Sequence, residues 1–171
     1  MRRALVAIPV LLVSTAAAAA PLPETTGEIR IDVGAGSAIG EVGLSAAYDI
    51  GAHAQLEGAV GYGALGLQLS LMPKLVLGNS RDRLVSGVGL TLATPLGGGA
   101  SDVSSLWLTV DLAGYEHRFG GGTVAFVAAG VSIHVSGSGP LIWTDGDEGD
   151  SGTGDALEVI PQVRAGFGWW Y

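Results

Sequence analysis

Residues 28–33 read Glu28-Ile29-Arg30-Ile31-Asp32-Val33, three apolar residues alternating with three charged ones. Successive side chains of an extended chain point to opposite faces, so this stretch is a strand with an apolar face (Ile29, Ile31, Val33) and a charged face (Glu28, Arg30, Asp32). An amphipathic helix would space its apolar residues by threes and fours, and the strict alternation by twos does not fit it. The same period of two continues outward along the chain. Val42, Leu44, Ala46, Tyr48 and Ile50 share a face, and Ala54, Leu56, Val60 and Tyr62 oppose Gln55 and Glu57. Leu67, Leu69 and Leu71 alternate with Gln68 and Ser70, and the pattern runs on through Pro73, Leu75 and Leu77. Val88, Leu90 and Leu92 oppose Gly87, Gly89 and Thr91, while Leu106, Leu108, Val110 and Leu112 oppose Ser105, Thr109 and Asp111. Val127, Ala129, Val131, Ile133 and Val135 then oppose Ser132 and His134. The last segment sets Val159, Pro161, Val163, Ala165, Phe167, Trp169 and Tyr171 against Glu158, Gln162 and Arg164. The chain is thus expected to be all-β with eight strands. Each supplies about the 9 to 11 residues that a tilted strand needs to cross a bilayer.

With both termini on one side, the odd-numbered connections fall near residues 36–39, 63–65, 95–105 and 136–154, and the even-numbered ones near 50–53, 78–83 and 118–122. The longest connections share one side, which matches the short periplasmic turns and long external loops of bacterial outer-membrane barrels in the second half of the chain; the first two external loops are short. An antiparallel sheet that is apolar outside, polar inside and closed on itself is the β arrangement lipid tolerates. Proline lacks a ladder donor, so Pro73 predicts a bulge or a strand boundary. The glycine runs 97–99 and 120–122 are turn material, and neither precedes a helix that could cradle a phosphate.

The chain ends Arg164-Ala165-Gly166-Phe167-Gly168-Trp169-Trp170-Tyr171, a polar residue, a glycine two later, then aromatics three and five residues after that glycine. This pattern, carried by Arg164, Gly166, Trp169 and Tyr171, resembles the C-terminal assembly signal of bacterial outer-membrane β-barrels, which their barrel assembly machinery reads as a final strand. At the other end, Arg2 and Arg3 precede an apolar stretch at residues 4–13, and the small residues 16–20 offer a cleavage site before Pro21. Residues 1–20 are read as a signal peptide for the general secretory route, and residues 21–171 as the barrel domain. The resemblance, to the small eight-stranded outer-membrane proteins, covers this whole mature chain. It implies an up-and-down transmembrane β-barrel in a Gram-negative outer membrane, with lipid and lipopolysaccharide as its surroundings.

Composition narrows the function. Of 171 residues, 48% are hydrophobic and 14% charged, which excludes a disordered chain, and the absence of cysteine excludes disulfides, thiolate metal sites and a cysteine nucleophile. Removal of residues 1–20 takes two of the eight basic residues and none of the sixteen acidic ones, leaving a net charge of about -10. So few bases exclude a nucleic-acid partner, whose phosphates require clustered Lys and Arg.

Within an eight-stranded barrel, Tyr48, Tyr62, Trp169 and Tyr171 are expected as an aromatic girdle at the headgroup levels, whereas Trp107 falls on the inward face. Glu28, Arg30, Asp32, Glu57, Lys74, Asp111 and Arg164 face a lumen with room for packed side chains and little else. Arg30, Lys74 and Arg164 should therefore bridge lumenal carboxylates and form a polar plug.

Two groups could carry chemistry. His134 and Ser136 share a strand face, and Glu148 follows. The arrangement is similar to that of outer-membrane lipid A deacylases, which implies His134 as general base, Ser136 as nucleophile and Glu148 as the orienting carboxylate; those enzymes carry asparagine where Gly137 stands here. The acidic run Asp145-Gly146-Asp147-Glu148-Gly149-Asp150 could ligate a cation through Asp145, Asp147 and Asp150, but Gly149 and Asp150 break the EF-hand pattern, and a solvated acidic external loop is expected. The leading expectation is a non-enzymatic barrel with a structural or interaction role through its external loops and no cofactor. The alternatives are a lipid A hydrolase, or a soluble lipocalin-like barrel whose apolar faces turn inward around a small ligand.

Overall fold

The computed structural model describes residues 26–36, 38–95, 104–136 and 158–171. These residues form eight strands and no helix: β1 (Gly27–Ala35), β2 (Val42–Gly51), β3 (Ala54–Gly63), β4 (Gly66–Gly78), β5 (Asp82–Thr94), β6 (Ser105–Arg118), β7 (Thr123–Ser136) and β8 (Val159–Trp170). Each strand pairs antiparallel with its neighbours in sequence, and β8 returns to β1 to close a barrel. The closing seam runs from Glu28 opposite Trp170 to Ala35 opposite Val163. Gly27 and Tyr171 complete it by exchanging two backbone hydrogen bonds, both 2.9 Å, so the last residue of the chain belongs to the barrel wall. Residues 1–20 lie outside the described residues.

The alternation decides what each face carries. Ile29, Ile31 and Val33 are exposed on the outer wall, as are Leu44, Leu69, Leu71, Leu90, Val127, Val163 and Phe167. The charged partners of these residues point inward and are buried. The barrel therefore has the opposite polarity to the inward-facing apolar surface that a lipocalin-like site requires.

Two departures from a regular ladder matter for the interior. In β6 the pairing with β7 shifts between Asp111 and Ala113; Leu112 and Ala113 both face out, and Gly114 resumes the inward face. The extra residue turns Glu116 and Arg118 into the lumen. At Pro73 the expected bulge or strand boundary is absent. The β3–β4 ladder passes without a shift through Leu56 and Pro73. On the other side, β4 and β5 keep one register from Leu71 opposite Leu90 to Lys74 opposite Gly87, with the two intervening pairs missing. A proline has no N–H to give β5, and the strands accommodate it by leaving the ladder open locally rather than by adding a residue.

The β1–β2 connection does not project outward. Ala38 and Ile39 are buried, Glu41 N–H donates to the Tyr62 carbonyl at 2.9 Å, and Gly34 N–H donates to the Glu41 carbonyl at 3.0 Å. A Cβ at position 61 would lie 1.9 Å from the Ile39 carbonyl oxygen, so only glycine lets the connection rest against the inside of β3.

Candidate functional site

The lumen is built from one inward residue in every two, and it divides into two halves. The half nearer the termini is ionic. Six carboxylates (Glu28, Asp32, Asp49, Glu57, Asp111, Glu116) and five cations (Arg30, Lys74, Arg83, Arg118, Arg164) are buried there among the described residues. Glu57 on β3 is the hub. It pairs with Arg30 from β1, with Lys74 from β4 and, at 2.7 Å, with Arg164 from β8. Arg30 also binds Glu28 and approaches Asp32, and Arg164 donates to Asp111 at 2.7 Å. The Phe126 ring on β7 sits among the same three cations, with Arg30, Lys74 and Arg164 at 4.4, 4.6 and 4.7 Å from its centroid. Such contacts favour a desolvated cation held over an aromatic face.

A second layer lies closer to the termini. Arg83 donates to Asp49 at 2.6 Å and to Glu116 at 2.9 Å, while Arg118 donates to Glu116 at 2.8 Å and to Asp49 at 3.2 Å. Glu28 joins the layers through Arg30 and Arg118. All seven residues named from the sequence as lumenal charges thus lie inside the barrel, together with Asp49, Arg83, Glu116 and Arg118, which the sequence reading missed. On the sequence pattern Arg83 and Arg118 fall in the connections 78–83 and 118–122. Their signal was the continuing alternation Arg83-x-Val85 and Glu116-x-Arg118, displaced in β6 by the shift after Asp111.

Among the described residues, the half nearer the long connections carries no buried Lys, Arg, Asp or Glu. A cavity of about 650 Å³ opens at this end, bounded in part by the wall residues Ala35, Pro161 and Val163. Gln68, Thr91, Thr109 and Ser132 supply its amide and hydroxyl groups, and Trp107, Leu65 and Ile160 its apolar surface. Trp107 packs with Ala93, Ile160 and Leu65, and its indole N–H donates to Ser105 Oγ at 2.8 Å. Thr91 and Thr109 share a hydrogen bond of 3.0 Å, and Ser132 Oγ donates to the Gly36 carbonyl at 2.9 Å.

Beside this chamber His134 tilts against Trp107, ring centroids 4.9 Å apart, with Nδ1 4.0 Å from the Glu158 carboxylate. His134 Nε2 is buried without a hydrogen-bond partner. Ser136, at the exposed end of β7, lies past a one-residue shift at Val135 and pairs with the outward-facing Leu106, whereas His134 pairs with the inward Trp107; the expected shared face is lost, and no hydrogen bond joins the two among the described residues. A base must reach the proton it removes, and this pair does not meet that condition as it stands. Glu148 and the cation candidates Asp145, Asp147 and Asp150 lie outside the described residues. No cluster of three metal-ligating side chains occurs among the described ones.

On the outer wall Tyr48, Trp169 and Tyr171 are exposed at the terminal end and Tyr62 at the opposite end. Tyr115 and Phe119 extend the aromatic set at the terminal end. Tyr115 donates its hydroxyl to Asp82 at 2.5 Å, and His117 meets Phe119 edge-on at 4.5 Å. In the C-terminal motif, Gly166 has a packing role besides the one the resemblance implies, because a Cβ there would lie 1.7 Å from Asp32 Oδ1. Comparison of the chain with protein-family models, with characterised proteins and with solved structures finds no match.

Proposed function

We propose that the chain is an integral β-barrel of a Gram-negative outer membrane, exported by the general secretory route with loss of residues 1–20. In this reading Arg164, Gly166, Trp169 and Tyr171 present the last strand to the barrel assembly machinery. The protein then serves a structural or interaction role through its loop end, in contact with membrane lipid and lipopolysaccharide.

One observation carries the proposal: the barrel is inside out for water. Its outer wall exposes rows of Ile, Leu, Val and Phe, while five of the chain's eight Lys and Arg are buried in the lumen with six carboxylates. Apolar surface left in water costs about 25 cal/mol per Å², whereas hydrocarbon accepts it and also demands the closed ladder seen here. Aromatic side chains at both ends of the wall suit the two headgroup levels. The sequestered bases also leave no basic surface for nucleic acid.

The test is gel mobility. The full-length protein from an outer-membrane fraction is run in SDS with and without boiling. A heat-dependent shift is expected, because a closed barrel retains its ladder in detergent until heated. Recovery in the soluble fraction with no shift would overturn the proposal.

A further inference from the structure

The lumen takes most of the charge of the described residues, so the charges left on the outside stand apart. Among the described residues, the exposed Lys, Arg, Asp and Glu are Glu41 at the loop end and the neighbours Arg81 and Asp82 at the terminal end. Arg81 and Asp82 close the β4–β5 turn, where the Asn79 side chain accepts both of their backbone N–H groups at 2.8 Å. They are opposite in sign, yet no ion pair among the described residues joins them. Asp82 is engaged by β6 instead, opposite His117 in the ladder. Its Oδ1 accepts from the Tyr115 hydroxyl at 2.5 Å and from His117 Nδ1 at 2.8 Å. The Tyr115 and His117 rings stack at 6.4 Å, and Phe119 closes the row edge-on at 4.5 Å from His117. The carboxylate is thus fixed on an aromatic patch of the outer wall, with its side chain 49% exposed.

What the patch leaves free selects its partner. Asp82 Oδ2 has no hydrogen-bond partner among the described residues, and the Tyr115 hydroxyl, having donated its proton, keeps only lone pairs. The free capacity is that of an acceptor beside a negative charge, which suits a cation rich in N–H donors. Arg81, next along the chain, offers the complement: a guanidinium whose donors match a phosphate. We propose that this patch binds the headgroup of an ethanolamine phospholipid, with the primary ammonium on Asp82 and the phosphate at Arg81. A choline ammonium has no N–H to donate, and a glycerol headgroup has no positive charge, so neither satisfies Asp82. The inference rests on the membrane reading, in which the aromatic side chains at the terminal end of the wall, Trp169 and Tyr171 with Tyr115 and Phe119, stand at the headgroup level.

The experiment uses the full chain, folded in a polyoxyethylene detergent whose uncharged head competes for neither group. Equimolar dipalmitoyl phosphatidylethanolamine, phosphatidylcholine and phosphatidylglycerol are added, and the lipid retained on the barrel is read by native mass spectrometry. Phosphatidylethanolamine should be retained about fivefold over phosphatidylcholine, the range that one exposed ion pair provides. Asp82→Asn keeps an oxygen for Tyr115 and His117 but loses the charge, and should bring that ratio to about one. Arg81→Gln should weaken retention of all three lipids, since the phosphate is common to them. Asp82→Ser serves should Asp82→Asn not fold, and the heat-dependent gel shift reports folding of each variant. Equal retention of the ethanolamine and choline lipids, a preference for phosphatidylglycerol, or an unchanged preference in a folded Asp82 variant would each overturn the proposal. A protein that shifts on heating but does not select among the lipids loses this inference alone, whereas soluble recovery without a shift removes the membrane reading itself.

Discussion

The two halves of the lumen are lined by the same eight strands in the same alternation, and they are held together in different ways. In the ionic half, side chains from β1, β3, β4, β6 and β8 meet on shared carboxylates, so distant strands are tied across the barrel. In the chamber half the contacts are uncharged: the Thr91–Thr109 hydroxyl pair, the Trp107 N–H on Ser105, Ser132 on the Gly36 carbonyl, and an inward-folded connection resting on β3. The difference teaches that alternation alone only sorts polar from apolar. What fills a lumen depends on how many opposite charges the register brings to one height. The ionic half closes the barrel's interior, and the chamber half leaves space.

The largest effect is expected at the hub of the ionic half. Glu57→Gln keeps the shape of the side chain but removes the charge shared by Arg30, Lys74 and Arg164. Breaking a buried ion network by one partner costs about 3–5 kcal/mol. Urea unfolding of the folded protein, followed by tryptophan fluorescence, should show that loss. A change under about 1 kcal/mol, the range of exposed pairs, would remove the distinction between the halves.

A smaller effect is expected in the chamber half. Gly61→Ala drives a methyl group into the Ile39 carbonyl, so the β1–β2 connection must leave the inside of β3. Overpacking of this kind costs about 1–3 kcal/mol. The ionic half should be untouched, so the variant should keep its heat-dependent shift while a broad-specificity protease gains access to Ala38 and Ile39. Protection equal to the unsubstituted protein would show that the connection has another support.

The division between the halves was only partly legible in the sequence. The hexapeptide Glu28 to Val33 displays both faces of β1 at once, and the inward positions of Arg30 and Asp32 follow from period two. Arg118 resembles a turn residue because a single extra residue near Asp111 breaks the phase of β6, and a one-residue shift exchanges the faces of everything after it; Arg83 keeps the unbroken alternation of β5 and resembles a turn residue only because it adjoins the 78–82 connection. Period two also says nothing about height, so the grouping of Glu57 with three cations from three other strands could not be read from one strand at a time. Pro73 misled in the opposite direction: its missing donor suggested a bulge, and the sheet opened two ladder pairs instead. The chamber was invisible for the same reason as the hub. Gln68, Thr91 and Thr109 are ordinary inward positions in three separate strands, and only closure of the sheet brings them to one cavity.

The smallest effect is expected at the rim, where the sequence suggested catalysis. Ser136→Ala should change stability by no more than about 0.5 kcal/mol, because the side chain is exposed at the end of β7 and has no partner to lose among the described residues. Nucleophilic catalysis needs a serine within hydrogen-bond reach of its base and a base oriented by a third group. Here His134 is held by the Trp107 ring, its Nδ1 stands 4.0 Å from Glu158, and its Nε2 is buried without reaching the hydroxyl. The two side chains also lie on opposite sides of the sheet, His134 beside the inward Trp107 and Ser136 opposite the outward Leu106. Expression of the protein and of the Ser136→Ala variant should therefore give the same lipid A mass spectrum. A loss of acyl chains that depends on Ser136 would mean that this end of the barrel rearranges to bring the hydroxyl onto His134 and lipid into reach. The loop-end half would then be the mobile part of the molecule, and the ionic half the frame against which it moves.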